Sequence, residues 1–268
     1  AQLGKQDLLR FVGGLPQQMQ QQWPNHPLSI HGSVSGNMEQ ADFSGLIIDL
    51  PTAFHVKADG MAAHLNDPKR LKADVELHGK TENLGFLSAY LPSPSTFRLP
   101  PMNVDGRVKA NGPRYDADLN ISRGKGQGVS VKGFVNTAGS MLYQADLKIQ
   151  NLNVHDFLPR DSIYTVTADV TLDGSGTDFF NAGSRLDATA KISQLHYGHW
   201  HLSDVTADAV LRNGRAQANI TSHNELADGS INVDALLSTK KLDATISADL
   251  NHADLQALRL TDDVMEIG

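Results

Sequence analysis

The sequence contains no cysteine, few aromatic residues and no extended basic segment. Without cysteine, a disulfide framework and a zinc site built on thiolates are both excluded. Aromatic residues make up only 6% of the 268 residues, so the apolar part of the chain consists mostly of Leu, Ile, Val and Ala. A net charge of −7 argues against nucleic-acid binding, which depends on neutralising phosphates with Lys and Arg.

Long apolar runs are also missing. No segment approaches the roughly 20 apolar residues that a helix needs to cross a bilayer. Residues 1–14 lack the charged start and apolar core of a signal peptide. Hydrophobic residues nevertheless make up 40% of the chain, which is enough to form a packed or lined apolar region. We interpret the chain as an internal piece of a longer protein.

Alternation of apolar and polar residues dominates what is present. In "LKADVEL" at residues 71–77, every second residue is apolar and the residues between are charged, which is the pattern of a half-buried strand. The same pattern predicts about a dozen strands, at residues 54–59, 71–77, 104–110, 115–121, 129–135, 143–149, 164–172, 186–192, 205–211, 216–220, 231–237 and 242–250. Turns are predicted between strands at Asn111-Gly112, Asp173-Gly174, Asn213-Gly214 and Asp228-Gly229.

Short apolar segments with helical spacing, which we call hooks, follow some of the strands. Leu84, Leu87 and Leu91 lie at i, i+3 and i+7, and Pro92 ends the segment. Similar hooks are predicted at Leu8, Phe11, Leu15 and Pro16, at residues 152–159, and at Leu255, Leu258 and Leu260, with a short helix at 17–22. The resulting irregular repeat divides the chain into a helical segment, 1–27, and three β units with their hooks, 28–92, 93–159 and 160–268.

A sheet with one apolar face must shield that face from water. It can do so by packing against a second layer, by closing into a barrel, or by curling around something that is not protein. Many inward positions are alanine, such as Ala73, Ala145 and Ala190. Alanine permits two interpretations: close approach of a second layer, or an interior kept open as a groove. Packed cores are the commoner solution, although the hooks are too short to cover so much sheet.

The repeated segments resemble the AsmA-like family and, within it, the TamB-type translocation and assembly module proteins of Gram-negative bacteria. The segments that carry the resemblance are "ENLGFLSAYLP" at 82–92, "NLNVHDFLP" at 151–159, "VDGRVKANG" at 104–112, "VTADVTLDGSG" at 166–176 and "LDATISADLNHADLQAL" at 242–258. The resemblance implies an all-β, elongated antiparallel meander curled into a β-taco or repeating β-groove, with the hooks as short helical crossovers.

The resemblance also implies a function. Such proteins are anchored in the inner membrane by a segment that this chain lacks, and their β-rich body crosses the periplasm. They are implicated in moving phospholipid to the outer membrane and, with an outer-membrane TamA-like barrel, in outer-membrane protein assembly. The inward residues would then line a lipid groove: Val56, Leu71, Val75, Leu77, Val104, Val108, Leu119, Ile121, Val129, Val131, Leu147, Ile149, Val166, Val170, Leu172, Ile192, Val205, Ile220, Ile231, Val233 and Ile246.

No pattern indicates catalysis, a metal or a cofactor. His196, His199 and His201 in "HYGHWH" are expected on the wet face of a hairpin that turns at Tyr197-Gly198, without a fourth ligand nearby. "GKGQG" at 124–128 precedes a strand and is therefore expected to be a hairpin turn, since a phosphate loop precedes a helix.

Three functions remain to be compared. The first is a lipid conduit, and the second is a non-catalytic scaffold that offers sheet edges to nascent outer-membrane strands. The third is carbohydrate binding, which should show clustered aromatic residues. Trp23 and Trp200 are the only tryptophans, so this third function is disfavoured.

Overall fold

The structure is a computed structural model that describes residues 2–7, 17–37, 39–67, 69–90, 97–237, 242–254, 256 and 266–267. In these residues the protein is all-β, with 17 strands and a few short helices. The chain forms two compact units, one of Ala1–Val131 with Asn153–Ser162 and one of Lys132–Leu152 with Ile163–Gly268. The hooks predicted at Leu8, Phe11, Leu15 and Pro16 and at Leu255, Leu258 and Leu260 lie outside the described residues, as does the end, at Leu91 and Pro92, of the hook that begins at Leu84.

The first unit is an antiparallel meander in chain order. Its elements are β1 (Gln2–Leu3), helix α1 (Gln17–Gln22), β2 (Leu28–Gly36), β3 (Gln40–Leu50), β4 (Phe54–Ala63), β5 (Lys72–Thr81), a 3₁₀ helix (Gly85–Tyr90), β6 (Met102–Asn111), β7 (Arg114–Ser122) and a second 3₁₀ helix (Val154–Asp156). Each strand from β1 to β7 pairs antiparallel with the next one along the chain. Strand β8 (Gly128–Asn136) contributes residues to both units.

The second unit continues the same pattern. Its strands are β9 (Leu142–Asn153), β10 (Ile163–Ser175), β11 (Arg185–Tyr197), β12 (Trp200–Leu202), β13 (Val205–Arg212), β14 (Arg215–His223), β15 (Ala227–Leu237), β16 (Leu242–Asp254) and β17 (Glu266–Ile267). Antiparallel pairs join β10 to β11, β11 to both β12 and β13, and then each strand to its successor as far as β17.

The predicted all-β antiparallel meander is confirmed. Every strand predicted from alternation lies within an observed strand, except that Leu71 precedes β5 by one residue. The alternation failed to predict β2 and β3 as strands. Each of these two contains a register shift, between His31 and Ser33 and between Phe43 and Leu46, which interrupts the two-residue period.

Two of the four predicted turns are wrong. Asn213-Gly214 joins β13 to β14, and Gly112 forms the turn after β6, as predicted. Asp173-Gly174 and Asp228-Gly229 instead lie inside β10 and β15. Gly174 leaves room for the ring of Tyr143, and Gly229 has a φ of 154° at a register shift against β16. Glycine is required at these two points inside the sheet rather than in a turn.

The largest apolar core lies at one end of the first unit. Helix α1 contributes Met19 and the 3₁₀ helix Gly85–Tyr90 contributes Phe86, and both pack against Leu28, Leu50 and Ala53. Trp23 adds to this core, with its ring centroid 4.8 Å from that of Phe86. The predicted hook therefore forms a 3₁₀ helix from Gly85, one residue after Leu84, and Leu84 and Leu87 pack against this core.

The hook predicted at 152–159 forms later than expected. Leu152 still belongs to β9, and the 3₁₀ helix begins only at Val154. The segment is held within the first unit because the Arg98 N–H donates to the Phe157 carbonyl at 2.7 Å and Arg123 forms an ion pair with Asp156. The Phe97 and Phe157 rings lie 6.2 Å apart.

Replacing Gly106 by alanine should destabilise the first unit by about 1–3 kcal/mol, because it combines backbone strain with a steric clash. Gly106 has a φ of 144°, and an added Cβ would overlap the carbonyl oxygen of Asp118 on β7. The denaturant midpoint measures the loss. Gly79→Ala is the matched control, because its Cβ would meet the side chain of Val56 at 3.2 Å rather than a backbone atom. Equal losses in the two variants would contradict the prediction.

Candidate functional site

The apolar face of the first unit is one continuous surface. Directly opposed residues of an antiparallel pair point to the same side of the sheet. Val75 lies opposite Val108, and Leu77 lies opposite Gly106, which lies opposite Leu119. The register places these predicted lining residues on one face: Val56, Val75, Leu77, Val104, Val108, Leu119 and Ile121. Val129 and Val131 alternate with the exposed Ser130 in β8.

The second unit has an apolar face of the same kind. A single row crosses six strands through Val170, Ala190, Ala207, Ile220, Ile231 and Ala248. The register places these predicted lining residues on that face: Val166, Val170, Leu172, Ile192, Val205, Ile220, Ile231, Val233 and Ile246. Leu147 and Ile149 share the alternation of Tyr143, whose ring lies against Gly174 on the same face.

The apolar faces of both units are for the most part only half-buried. Among the predicted lining residues of the described chain, Val205 is buried at 8% exposure, while Ile231 is 39% and Ile246 is 68% exposed. The other buried residues on the face are largely alanines, such as Ala62, Ala110 and Ala168. Within the described residues, therefore, no second layer covers the face beyond the core formed around Phe86 and Leu50.

The two faces of a strand differ in exposure even where neither is packed. Along β9, Leu147 and Ile149 are half-buried, whereas Lys148 and Gln150 are exposed. The apolar residues of β9 therefore lie on the less exposed of its two faces. Burial raises the pKa of the Tyr143 hydroxyl on this side, and the charge of Asp173 adds to the increase.

The opposite face carries cross-strand ion pairs. Asp74 bonds to Arg107 and lies 3.5 Å from the Lys109 ammonium, and Asp234 accepts a 2.7 Å hydrogen bond from Arg215. The guanidinium of Arg107 lowers the pKa of Asp74, and Arg215 does the same for Asp234. These pairs are open to solvent, so each contributes little to stability, but together they keep this face of the sheet polar and hydrated.

The histidines of the β11–β12 hairpin lie away from the apolar face. His196 and His201 are opposed and stack with ring centroids 4.0 Å apart, while Tyr197 pairs with Trp200 on the other side. The turn is at Gly198-His199, one residue later than predicted, because Tyr197 still pairs within the ladder. A search of the described residues finds no group of three or more His, Cys, Asp or Glu side chains that could hold a metal.

The segment "GKGQG" is a hairpin turn, as predicted. The Arg123 N–H donates to the Gln127 carbonyl at 2.9 Å, and β8 begins at Gly128. None of the described helices is long and apolar enough to cross a membrane.

Sequence reasoning missed a basic depression of about 470 Å³ in the first unit, lined by His64, Lys69, Arg70, Lys72, Asn111, Gly112 and Pro113. Its cations Lys69, Arg70 and Lys72 are close together in the sequence, but Asn111 and Gly112 join them only through the pairing of β5 with β6, which the sequence alone did not reveal.

Comparison of the chain with family models, curated proteins and solved structures found no match. The resemblance to AsmA-like proteins therefore stays a prediction, and the candidate site is defined by its geometry: two half-buried apolar faces, one in each unit.

Truncating Leu50 and Leu77 to alanine should separate the packed core from the open face. Leu50 is fully buried, so Leu50→Ala should cost about 2–5 kcal/mol of unfolding free energy. Leu77 lies between Ala58 and Gly106 with nothing described above it, so Leu77→Ala should cost under about 1.5 kcal/mol. Chemical denaturation of the two variants measures both values. Similar costs would show that the face is packed.

The ion pair of Asp74 should make stability depend on pH at the acid end. A pKa lowered by folding contributes stability above the ordinary value of 3.8, and this contribution is lost as pH falls through the lowered pKa. Asp74→Asn should therefore lower the denaturation midpoint at about pH 7, and the difference from the unaltered chain should shrink as the pH falls below 3.8 and Asp74 gains a proton. Asp42→Asn, at an exposed position in β3, should leave the midpoint unchanged at both ends of this pH range. A loss for Asp74→Asn that persists undiminished at the acid end would refute the assignment.

Proposed function

We propose that the apolar face binds phospholipid acyl chains and shields them from water, as a non-enzymatic segment of a conduit between two membranes. The observation that carries the proposal is the half-buried apolar face of each unit, which the described residues leave without a covering layer. Each large aliphatic side chain transferred out of water contributes roughly 1.5–3 kcal/mol, so such a face requires an occupant.

The character of the face favours acyl chains over a packed protein partner. Alanines recur along it, including Ala62, Ala73 and Ala110 in one row across β4, β5 and β6. A row of small side chains leaves space above the sheet, and flexible hydrocarbon fills such space without matching a fixed surface. Protein interfaces of high affinity instead concentrate large aromatic anchors, and Trp and Tyr are scarce in this chain.

The setting follows from the resemblance described for the sequence. As a TamB-type AsmA-like segment, the chain would lie in the periplasm of a Gram-negative bacterium, anchored to the inner membrane through a segment outside this sequence. Phospholipid would be its ligand, and an outer-membrane TamA-like barrel would be its protein partner.

A second candidate function is a scaffold that pairs with nascent outer-membrane strands. Strand β16 favours it, because in the described residues this 13-residue strand pairs along its length only with β15. Its other neighbour, β17, reaches just Ala253 and Asp254. An edge of this length offers unpaired backbone groups to another strand.

Photo-crosslinking at neighbouring inward and outward positions tests the lipid proposal. A benzophenone amino acid at Val75 or Val170 should form adducts with phospholipid in cells, because both positions lie on the apolar face. The same probe at Glu76 or Asp169, on the exposed face, is the matched control and should not. Equal lipid labelling at both kinds of position would contradict the proposal. If the same probe placed in β16 formed adducts with polypeptide instead, the result would favour the scaffold.

Charge introduced on the apolar face should reduce the amount of bound lipid. Ile149→Asp places a carboxylate where the proposal puts acyl chains, and the transfer of an unpaired charge from water into an apolar environment has a large free-energy cost. Gln150→Asp adds the same charge on the exposed face of β9. Phospholipid extracted from the purified variants and quantified per chain should fall for Ile149→Asp alone. Unfolding midpoints of both variants control for general destabilisation.

A further inference from the structure

A compact group of cations lies at one edge of the first unit. His64 follows β4, Lys69 and Arg70 belong to the loop between β4 and β5, and Lys72 begins β5. With Asn111 and Gly112 from the turn after β6, they line the depression of about 470 Å³. The chain as a whole has a net charge of −7, so this depression differs in sign from the protein that surrounds it.

The cations of this loop are not neutralised by carboxylates. No ion pair joins Lys69, Arg70 or Lys72 to another described residue, whereas Lys109, in the neighbouring strand β6, is paired with Asp74. All three side chains belong to exposed residues. Three fixed positive charges within four residues repel one another, and a bound anion relieves that repulsion.

Two carboxylates lie close to the depression, and both are engaged. Glu39 bonds to the Nδ1 atom of His64 at 2.9 Å, and Asp67 accepts the backbone N–H of Lys69 at 3.0 Å. The Arg70 guanidinium lies 3.4 Å from the same His64 nitrogen. Three cations against two carboxylates leave the group with excess positive charge even when His64 is neutral.

The loop that presents these cations is ordered by its backbone. The Asp67 N–H donates to the His64 carbonyl at 2.9 Å, and the Arg70 N–H donates to the Asp67 carbonyl at 2.9 Å. The Gly112 N–H donates to the Leu71 carbonyl at 2.7 Å, which ties the loop to the turn after β6. These bonds hold the backbone at Asp67, Arg70 and Leu71, from which the cationic side chains extend.

The depression also adjoins the apolar face. Lys72 lies opposite Ala63 and Asn111, and the next row of the sheet is Ala62, Ala73 and Ala110 on the apolar side. Lys72 and Asn111 point to the opposite, polar face, so a ligand with its anionic group in the depression would place an attached hydrocarbon chain on the apolar face by passing over the ends of β4, β5 and β6. Arg is suited to hold phosphate oxygens through two parallel hydrogen bonds, and Lys supplies point charge.

We propose that His64, Lys69, Arg70 and Lys72 form a binding site for a phosphate ester, such as the phosphodiester headgroup of a phospholipid whose chains lie on the adjoining apolar face. The lipid part of this proposal rests on the proposed function, whereas anion binding by the depression does not. Inorganic phosphate and phospholipid share the chemistry that the site recognises, so the test needs separate arms for the two.

The test compares two triple variants of the whole chain with equal loss of charge. Lys69→Gln/Arg70→Gln/Lys72→Gln removes the site. Lys125→Gln/Lys148→Gln/Lys191→Gln removes three exposed lysines that form no ion pair with another described residue. Backbone amide shifts are followed by NMR during titration with inorganic phosphate at fixed ionic strength. Saturable shifts should concentrate at residues 64–72 and 111–113, and the site variant should bind about tenfold or more weakly than the control variant.

The second arm separates the lipid headgroup from free phosphate. Each protein is loaded with phosphatidylglycerol or with diacylglycerol carrying the same acyl chains, and the retained lipid is quantified per chain. The unaltered chain and the control variant should prefer phosphatidylglycerol, and the site variant should lose that preference while still retaining diacylglycerol. Phosphate binding without any headgroup preference would overturn the lipid part and leave a free-phosphate site. Equal phosphate affinity in the two variants would overturn the site itself, and retention of neither lipid would overturn the proposed function alone.

Discussion

The apolar face of the sheet is the constraint on which the rest of this structure depends. Strict alternation places the aliphatic side chains of a strand on one face of the sheet. A register slip of one residue would move all of them to the opposite face and expose them to water. The observed pairings keep rows such as Val170, Ala190 and Ala207 continuous from strand to strand. Polar residues alternate onto the other face, where cross-strand pairs such as Asp74 with Arg107 hold them in contact with water and with one another.

The protein covers this face with its own residues in one place only among those described. Met19 and Phe86 are carried over the sheet by two helical segments of six residues each, and these close off the end that contains Leu50. Such short helices cannot extend their cover across further strands. The same sheet therefore contains a conventional core at one end and a half-exposed surface beyond it, and it is this contrast, rather than hydrophobicity alone, that identifies the surface as a candidate site.

The strands could be predicted because a half-buried strand has an apolar residue at every second position and polar residues between them. Glycine was less informative: Gly214 marks a turn, while Gly174 and Gly229 admit a ring and a register shift inside strands. Whether the face was covered could not be predicted, since alanine suits a close second layer and an open groove equally well. The basic depression was missed because Lys69 and Asn111 approach each other only through the pairing of β5 with β6.

The basic depression and the apolar face together limit the classes of ligand that could neutralise the one and cover the other. Hydrocarbon alone would cover the face and leave Lys69, Arg70 and Lys72 without a counter-charge, whereas inorganic phosphate alone would neutralise these cations and leave the face uncovered. An amphiphile with an anionic head meets both requirements when it passes over the strand ends, because Ala62, Ala73 and Ala110 lie one row from Lys72, on the other face of the sheet. The head would also fix where along the face its chains begin. A sheet that holds only hydrocarbon offers no such reference point, since every row presents nearly the same aliphatic surface.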